Sequence, residues 1–511
     1  DKLSACADLN MKDKIENKIG NIDNIIIFGN LFFFFFLMWG IINNIHYSND
    51  DYAFLYQQKE CAKDIIAMSS RGFIGIVYYI LSKIGINVTK YQKIIGCLMM
   101  LIFSICTSKI TFIINKRAEI ESKFGKIMVN FGSVFLFGNV FVAEWLWYAN
   151  AYLQWGFAVG LVTISIILVL NKHEVLSFIC LFCAVGSYQL IVAYYIIIML
   201  LLAVVDSKQE IHKKTIFNGL KICFLGAMSI LANMIFAKII IFLFKLNATS
   251  RVTLEFGNIK QILKQYIFLQ KTVWIDGFGL LPKGSMALAL IVFLCFIVYA
   301  VEKKKRLFVF GVILLIGCGI FALIGCVQVL QGYCYGAVRV FVPYFSIYSV
   351  MIWLFALNNN IKNLNYKKVF SLIIVVFILI NMSEMNKEAL DIAKTNALDK
   401  TYIMNIEEKI QEYEEKYGEK IRKIGFCNDS SVTYKYVEEL SNPNIGGEIG
   451  AKAFIQGWSD VYSIQYYTGR KLIKVEIPMN IKEKCSKYNW NRENLDHQLI
   501  FTGDTLYIIV Y

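Results

Sequence analysis

Two adjacent carboxylates, Asp50 and Asp51, come directly after the apolar run 25–45 of this chain. Ionisable groups are expensive to hold beside lipid, and at the end of a membrane-crossing helix they usually mark a functional site. A carboxylate can deprotonate a hydroxyl group, or it can hold a divalent cation such as Mg²⁺ or Mn²⁺. The pair therefore predicts an acid/base centre at the water-facing end of the first apolar segment. We favour Asp50 as the base and Asp51 as its partner or metal link, and leave a metal requirement open.

Other residues that can bind a phosphate or a sugar stand outside the later apolar runs. An arginine can pair with a phosphate through two parallel N–H groups. Aromatic faces suit sugar rings, although they also anchor helices at a membrane interface, the simpler explanation for the tryptophans beside Glu144. With a base, these residue types suit the transfer of a sugar from a phosphate-linked lipid to a hydroxyl group. The candidate substrate-binding residues are Arg71, Glu144, Tyr188, Gln189, Trp274, Asp276 and Arg339.

Several of these candidates also have a purely structural explanation. Arg71 and Arg339 can stretch along apolar surface to bring their charge into water. Tyr188 and Gln189 can tie membrane helices together through hydrogen bonds. Asp276 precedes a glycine and can belong to a turn. Sequence alone leaves both explanations open for each residue.

The elements that must position these residues are membrane helices. Of the 511 residues, 57% are hydrophobic and 18% are charged, whereas soluble domains carry about 25% charged residues. Apolar runs of about 20 residues recur along the chain and predict an α-helical polytopic membrane protein with about eleven transmembrane helices. The predicted spans are 25–45, 93–114, 127–143, 153–170, 175–186, 190–205, 216–244, 286–301, 308–330, 338–357 and 369–381.

The net charge of +14 is concentrated in short segments between apolar runs, for example Lys303–Arg306. Such clusters follow the positive-inside rule and predict a multi-pass protein of the bacterial cytoplasmic membrane, with its N-terminus inside and its C-terminus outside. Residues 46–90 then form the first external loop, in which 73–86 lies at the membrane interface. The chain has no Gly-rich phosphate loop, no zinc-finger spacing and no basic helix with interleaved aromatics, which argues against nucleic acid as a partner. Its four histidines are scattered and offer no metal triad.

Composition divides the chain into three parts. Residues 1–24 are predicted to be a cytoplasmic N-terminus, 25–385 a multi-span transmembrane domain, and 386–511 a small extracytoplasmic α/β domain. This last part begins with a charged helical pattern, and we expect it to shape the acceptor side of the site. The strand patterns that follow the helix lie at 423–427, 471–476 and 498–510.

The 13 cysteines lie mostly inside apolar runs, where small apolar packing is the simplest explanation. Cys180 and Cys183 have the spacing of a redox or metal motif, but they lie inside the predicted span 175–186, which contains no histidine or acidic residue. Cys427 and Cys485 can form a disulfide if the C-terminal part is extracytoplasmic, although spacing does not establish the pairing.

Four short motifs and their order carry a family resemblance. They are Asp50-Asp-Tyr52 after the first helix, Arg71-Gly72, Gly186-Ser-Tyr-Gln189 between two close apolar runs, and Arg339-Val-Phe-Val-Pro343 before a late helix. With these motifs and its α/β tail, the chain resembles the bacterial type-II Gtr glucosyl transferases, the serotype-converting O-antigen glucosyltransferase group, which has a GT-C-like membrane fold. The resemblance covers nearly the whole chain, and its topology and motif order are more specific than any single motif.

The resemblance implies a function at this site. Such relatives transfer glucose from undecaprenyl-phosphate-glucose to a surface polysaccharide outside the cytoplasmic membrane, and a first-loop aspartate, here Asp50 or Asp51, acts as base or metal-linked acid. The implied partners are a polyprenyl-phosphate-linked sugar donor, a polysaccharide or lipid-linked glycan acceptor, and the lipid bilayer. Two alternatives stay open: a polymerase or ligase of polyprenyl-linked glycan, and a lipid-linked glycan flippase or transporter, which would place its charges nearer the bilayer midplane.

Overall fold

The computed structural model describes most of the chain. It covers residues 2–428 except 209, 211, 248–257, 331, 333, 335 and 359–363, and then 435–436, 438–441, 448–455, 457–487 and 495–510. The side chain of Cys485 is not among those described, so the predicted Cys427–Cys485 pairing lies outside the described part of the protein.

Helices dominate the chain up to residue 417. They are α1 Lys2–Ile42, α2 Asn49–Ser69, α3 Gly72–Lys83, α4 Gln92–Arg117, α5 Lys123–Phe137, α6 Val142–Trp147, α7 Tyr152–Leu170, α8 Glu174–Ser187, α9 Val192–Asp206, α10 Lys213–Leu243, α11 Ile259–Asp276, α12 Ser285–Ala300, α13 Arg306–Leu330, α14 Ser346–Leu357 and α15 Leu364–Tyr417. The later elements are β1 Lys423–Asn428, α16 Asp460–Thr468, β2 Ile473–Lys474, α17 Met479–Lys487, α18 Leu495–Gln498, β3 Leu499–Thr502 and β4 Thr505–Val510.

Among the described residues, seven helices are long and apolar enough to cross a membrane, and four shorter apolar helices accompany them. The first long one carries Phe28, Phe32 and Phe36 at the four-residue spacing that places side chains on one helix face, and all three are about 60% exposed. Such a face needs lipid around it, so the apolar helices indicate a membrane protein. The number of eleven crossings stays a prediction.

Two ends of this helical bundle differ in character. At one end Arg117 pairs with Asp206 at 3.6 Å, and Lys305 donates to the carbonyl of Lys208. These contacts bring together the end of α4, the end of α9 and the segment before α13. These are segments in which the sequence places cytoplasmic charge. The other end of α4 meets the end of α1, where the backbone N–H of His46 donates to Gln92. With 26 residues at 1.5 Å each, α4 separates the two ends by about the thickness of a bilayer.

The structure corrects two local predictions. The segment expected to be an external loop folds into the helix pair α2 and α3, which pack so closely that a Cβ at Gly75 would collide with Ile66. The span expected at 127–143 ends at Phe137, and the chain turns at Asn139 before α6 begins. Phe141 is fully buried within the protein. An apolar run shows that a side chain avoids water, but it does not show whether lipid or protein covers it.

The C-terminal part is built on the long helix α15. Four strands form one sheet in the order β2-β1-β4-β3, with β1 parallel to β2 and β4 and with β3 antiparallel to β4. Ile403, Ile406 and Ile410 of α15 are buried in one cluster with the sheet residues Ile424 and Leu506. Because α15 runs across residue 386 without a break, this part shares a helix with the bundle, and the domain boundary predicted there remains a prediction.

Arg470 fastens the end of α16 to α15. Its guanidinium makes two-pronged ion pairs with Glu407 and with Glu414, at 2.6 to 3.1 Å. Removing one partner of such an enclosed group leaves charge unpaired. We expect Arg470→Ala to cost roughly 2 kcal/mol, less than the loss of a fully buried pair because the group keeps some contact with solvent.

The measurement for Arg470→Ala is hydrogen exchange of the β1–β4 amides, which should become faster. The matched control is Lys409→Ala, which removes exposed pairs with Glu412 on the same helix and with Asp496 of α18. It should change exchange little, because exposed ion pairs contribute little. Equal exchange in Arg470→Ala and wild type would show that the ion pairs contribute nothing measurable to this part of the fold.

Candidate active site

Asp51 is a buried anchor at the start of α2. It is fully buried, and its Oδ2 accepts hydrogen bonds at 2.7 Å from both the backbone N–H and the hydroxyl of Ser48. This is a capping box, in which the third helical residue reaches back to the residue that precedes the helix. The same carboxylate also accepts from the backbone N–H groups of Ala149 at 3.1 Å and Asn150 at 2.6 Å. Asp51 therefore holds the start of α2 against the segment that follows α6.

Burial also decides how Asp51 titrates. Loss of water raises the pKa of this carboxyl to about 7, although the hydrogen bonds from Ser48 and Asn150 oppose the shift. The charge of Asp50 raises the pKa as well, but it contributes least. Burial, rather than repulsion between the two neighbouring carboxylates, is therefore the main cause of the raised pKa of Asp51. A catalytic role of Asp51 stays a prediction, and its geometry favours positioning.

Asp50 occupies a different environment, although it is the next residue. It is half-buried in the first turn of α2, where the helix dipole favours a negative charge. Its Oδ1 accepts a hydrogen bond at 2.9 Å from the indole N–H of Trp458, which stands just before α16. Successive residues on a helix point about 100° apart, so the buried and the accessible carboxylate follow from the helix start at Asn49. Asp50 is the member of the pair that a substrate can reach.

Glu144 and Arg339 form a buried ion pair near this carboxylate pair in the fold. The guanidinium of Arg339 donates to Glu144 Oε1 at 2.6 Å, and the backbone N–H of Arg339 donates to Oε2 at 2.7 Å. Glu144 lies in α6 and is fully buried. Burial raises its pKa above the usual range, although the positive charge of Arg339 opposes this rise. Four residues after Glu144 comes Tyr148, next to the backbone that Asp51 holds. Helix α6 and the residues directly after it therefore carry both Glu144 of the ion pair and the backbone N–H groups that bind Asp51.

Sequence reasoning missed Glu448, which the C-terminal part brings into this group. Its Oε2 accepts from the hydroxyl of Tyr148 at 2.6 Å, and its Oε1 is 3.4 Å from the guanidinium of Arg339. Its backbone N–H donates to Glu144 at 3.2 Å. Glu448 stands in the sequence Gly447-Glu-Ile-Gly450, and a single acid among glycines was the only available signal. The group of Glu144, Tyr148, Arg339 and Glu448 is called the Arg339 cluster below.

Arg71, Tyr188 and Gln189 continue the contacts of the Arg339 cluster. The guanidinium of Arg71 lies 5.0 Å from the ring centre of Tyr188, and its Nε donates to Gln189 at 3.3 Å. The hydroxyl of Tyr188 donates to the carbonyl of Arg339 at 3.1 Å. Five of the predicted binding residues, Arg71, Glu144, Tyr188, Gln189 and Arg339, are thus joined in one continuous set of contacts.

Trp274 and Asp276 are placed elsewhere, at the end of α11. The ring of Trp274 packs edge-on against Tyr344 with centres 5.7 Å apart, and Asp276 Oδ1 accepts from the backbone N–H of Gly279 at 3.1 Å. The contact of Asp276 is that of a turn, the structural alternative recognised in its sequence. Their assignment to substrate binding stays a prediction, and these contacts do not join them to the Arg339 cluster.

The charged groups at the Arg339 cluster are equal in number: Glu144 and Glu448 are acidic, and Arg339 and the neighbouring Lys435 are basic. Lys435 lies close enough that Glu144 and Glu448 both act to raise its pKa, although burial lowers it overall. In the described part of the chain, no three His, Cys, Asp or Glu side chains are grouped as metal ligands. Asp50 and Asp51 themselves point to different surroundings, so any divalent cation at this site would need ligands from substrate or water. A role for Mg²⁺ or Mn²⁺ stays a prediction.

Comparison with known proteins gives one match. A family model described as "Glucosyl transferase GtrII" matches residues 40–352, which is more than half of the chain. The matched range includes Asp50, Asp51 and Arg339, and it ends before Glu448 and Trp458. No curated protein and no solved structure matches the chain significantly.

Proposed function

The chain belongs to the GtrII glucosyl transferase family and is a glycosyltransferase, and from this premise we propose its donor, acceptor and location. The donor is glucose, or another hexose, on a polyprenyl phosphate such as undecaprenyl phosphate. The acceptor is a cell-surface polysaccharide such as O-antigen, and transfer takes place on the outer side of the cytoplasmic membrane. One observation carries the proposal: the accessible carboxylate Asp50 and the arginines Arg71 and Arg339 lie at the end of the bundle opposite the Lys/Arg clusters.

The donor side of this site is assigned to the arginines. A polyprenyl-phosphate sugar carries its charge at the membrane surface, and the leaving phosphate needs positive charge as its bond to the sugar breaks. Arg71 and Arg339 stand at the ends of apolar elements, where a lipid-borne phosphate arrives from the side of the bilayer. Tyr148 and the carboxylates of the Arg339 cluster hold the guanidinium of Arg339 in a fixed direction.

The acceptor side is assigned to Asp50. As the acceptor hydroxyl attacks the anomeric carbon of the donor sugar, a new carbon–oxygen bond forms and the bond to the phosphate oxygen breaks. The hydroxyl proton passes to Asp50, and the polyprenyl phosphate leaves with the electron pair. An accessible carboxylate beside the acceptor hydroxyl can accept this proton. The family match argues against the flippase alternative, because the family is one of transferases.

The donor is tested by direct transfer in lipid nanodiscs. Purified enzyme is given either radiolabelled undecaprenyl-phosphate-glucose or radiolabelled UDP-glucose, with polysaccharide from the host's surface as acceptor. We expect label to enter the polysaccharide from the lipid-linked donor only. Transfer from UDP-glucose alone would overturn the proposed donor and place the reaction with cytoplasmic glycosyltransferases.

The orientation is tested by reporter fusions, because the Lys/Arg clusters predict which end faces the cytoplasm. Alkaline phosphatase fused after Tyr511 should be active, since it folds only outside the cytoplasm, and the same fusion after Arg306 should be inactive. Green fluorescent protein at the two positions serves as the matched control and should give the opposite pattern. Reversed results at both positions would remove the proposed external active site.

A further inference from the structure

A row of accessible aromatic side chains lies where α2 meets the beginning of α16. Trp458 is 50% exposed and donates its indole N–H to Asp50. Tyr56, on α2, is 46% exposed and stacks on Tyr462 of α16, with ring centres 5.6 Å apart and planes within 19°. Tyr462 follows Trp458 by four residues and lies in the first turn of α16. Tyr56, Trp458 and Tyr462 are called the aromatic seam.

The surroundings of the aromatic seam are polar, unlike those of the lipid-facing phenylalanines of α1. Next to Tyr56, the exposed face of α2 carries Gln57 and Glu60. Beside Trp458, Lys474 donates to the carbonyl of Gly457 and pairs with Asp460. Charged neighbours of this kind are costly in hydrocarbon. The exposed rings of the seam therefore do not lie in the hydrocarbon core of a membrane.

We propose that the aromatic seam binds the sugar units of the acceptor glycan, a role that rests on the proposed function and adds a subsite to it. Aromatic rings offer flat apolar faces for the C–H surface of a sugar, while a few polar groups fix its orientation. The indole of Trp458 already touches the Asp50 carboxylate, so a sugar ring stacked on it has a hydroxyl within reach of the proposed base. Tyr56 and Tyr462, which follow Asp50 and Trp458 in their two chain segments, then contact the next sugar of the chain.

This subsite explains why the C-terminal part belongs to the enzyme. Trp458 and Tyr462 come from residues beyond the range matched by the family, while Asp50 and Tyr56 lie within it. The base is thus contributed by the bundle and most of the aromatic surface by the C-terminal part. A glycosyltransferase assembled in this way can change its acceptor through the C-terminal part and keep its donor chemistry unchanged.

The test separates acceptor binding from transfer. Binding of an oligosaccharide, released from the host's surface polysaccharide by mild acid, is measured by saturation-transfer NMR on the full chain in nanodiscs without donor. We expect Trp458→Ala to weaken binding about tenfold, the loss of one good aromatic contact. Trp458→Phe should restore most of it, because it keeps a ring. The matched control is Tyr417→Ala, an exposed tyrosine of α15, which should bind like wild type.

Each outcome has one meaning. Equal binding by wild type and Trp458→Ala would overturn the proposal, as would a Trp458→Ala protein that loses liposome association instead of oligosaccharide binding. The failure of the proposed function looks different: wild type would bind the oligosaccharide through Trp458 yet transfer no glucose from a lipid-linked donor. Restoration by phenylalanine excludes misfolding as the cause of weak binding in the alanine variant.

Discussion

Replacing Asp50 by asparagine is expected to lower the rate of sugar transfer by a factor on the order of 10²–10⁴. Asparagine keeps the size of the side chain and an oxygen that can accept the Trp458 hydrogen bond, but it cannot take the proton of the acceptor hydroxyl. The loss should therefore appear in kcat, with little change in the amount of protein in the membrane. Transfer from a polyprenyl-phosphate sugar by the purified variant is the measurement.

The matched control for Asp50→Asn is Asp64→Asn, which removes an exposed carboxylate from the same helix. This control should retain its activity, because Asp64 lies more than three helical turns from Asp50 along α2. If Asp50→Asn transferred sugar at the wild-type rate, the base would have to be another group, and the glycosyltransferase mechanism proposed for this site would lose its central residue.

Asp51→Asn is expected to be as inactive as Asp50→Asn, but for a different cause. Oδ1 and Oδ2 of Asp51 both accept from backbone N–H groups, so the amide of asparagine would place a donor against a donor on one side. That mismatch weakens the contact between residue 51 and the backbone that follows Tyr148. Asp50→Asn should be inactive but as stable as wild type, whereas Asp51→Asn should lose activity together with thermal stability.

The distinction between these two aspartates could have been found in the sequence. Ser48 and Asp51 stand at the spacing of a capping box, which predicts a helix beginning at Asn49 instead of a loop. A helix start makes the third helical residue the buried partner of its cap and leaves its neighbour on another face. We expected a loop because an apolar helix precedes the pair, and this concealed the local signal.

The apolar pattern predicted several helices whose length and composition suit a membrane, because lipid requires a continuous apolar surface along each crossing. It did not predict where a helix ends inside the protein. Phe141 and Val142 are apolar and fully buried, yet they lie after the turn at Asn139 that separates α5 from α6. The orientation of Glu144 depends on that turn, so the ion pair with Arg339 followed only from the three-dimensional packing.

The contribution of the C-terminal part was the least predictable feature of the site. Tyr148 and Glu448 are 300 residues apart, and Asp50 and Trp458 are 408 residues apart. Contacts over such separations leave no periodic signal in one sequence, because neither residue's neighbours depend on the other. The sequence predicted strands in this part and a role near the acceptor, but it could not identify which side chains reach the bundle.

The second large effect is expected at Arg339. Lysine keeps the positive charge but replaces the planar fork with a single ammonium group, which cannot contact Glu144, Tyr148 and Glu448 in the same directions. We expect Arg339→Lys to reduce turnover with a lipid-linked donor by about 10²-fold, the usual cost of losing one fixed donor of transition-state stabilisation. Arg71→Lys should also reduce turnover, through its lost contact with Gln189.

Arg117→Lys is the matched control for both arginine variants, because Arg117 makes a partly exposed pair with Asp206 at the opposite end of the bundle. It should leave turnover unchanged. Thermal stability of each variant in nanodiscs shows whether the protein remains folded. Full turnover in both Arg339→Lys and Arg71→Lys would return these residues to the structural explanation, in which each side chain only carries its charge from apolar surface into water. A loss confined to turnover, with stability kept, supports a role of the guanidinium fork at the departing phosphate. A lysine at position 339 can satisfy Glu144 as an ion-pair partner, but it cannot hold the geometry that the Arg339 cluster imposes.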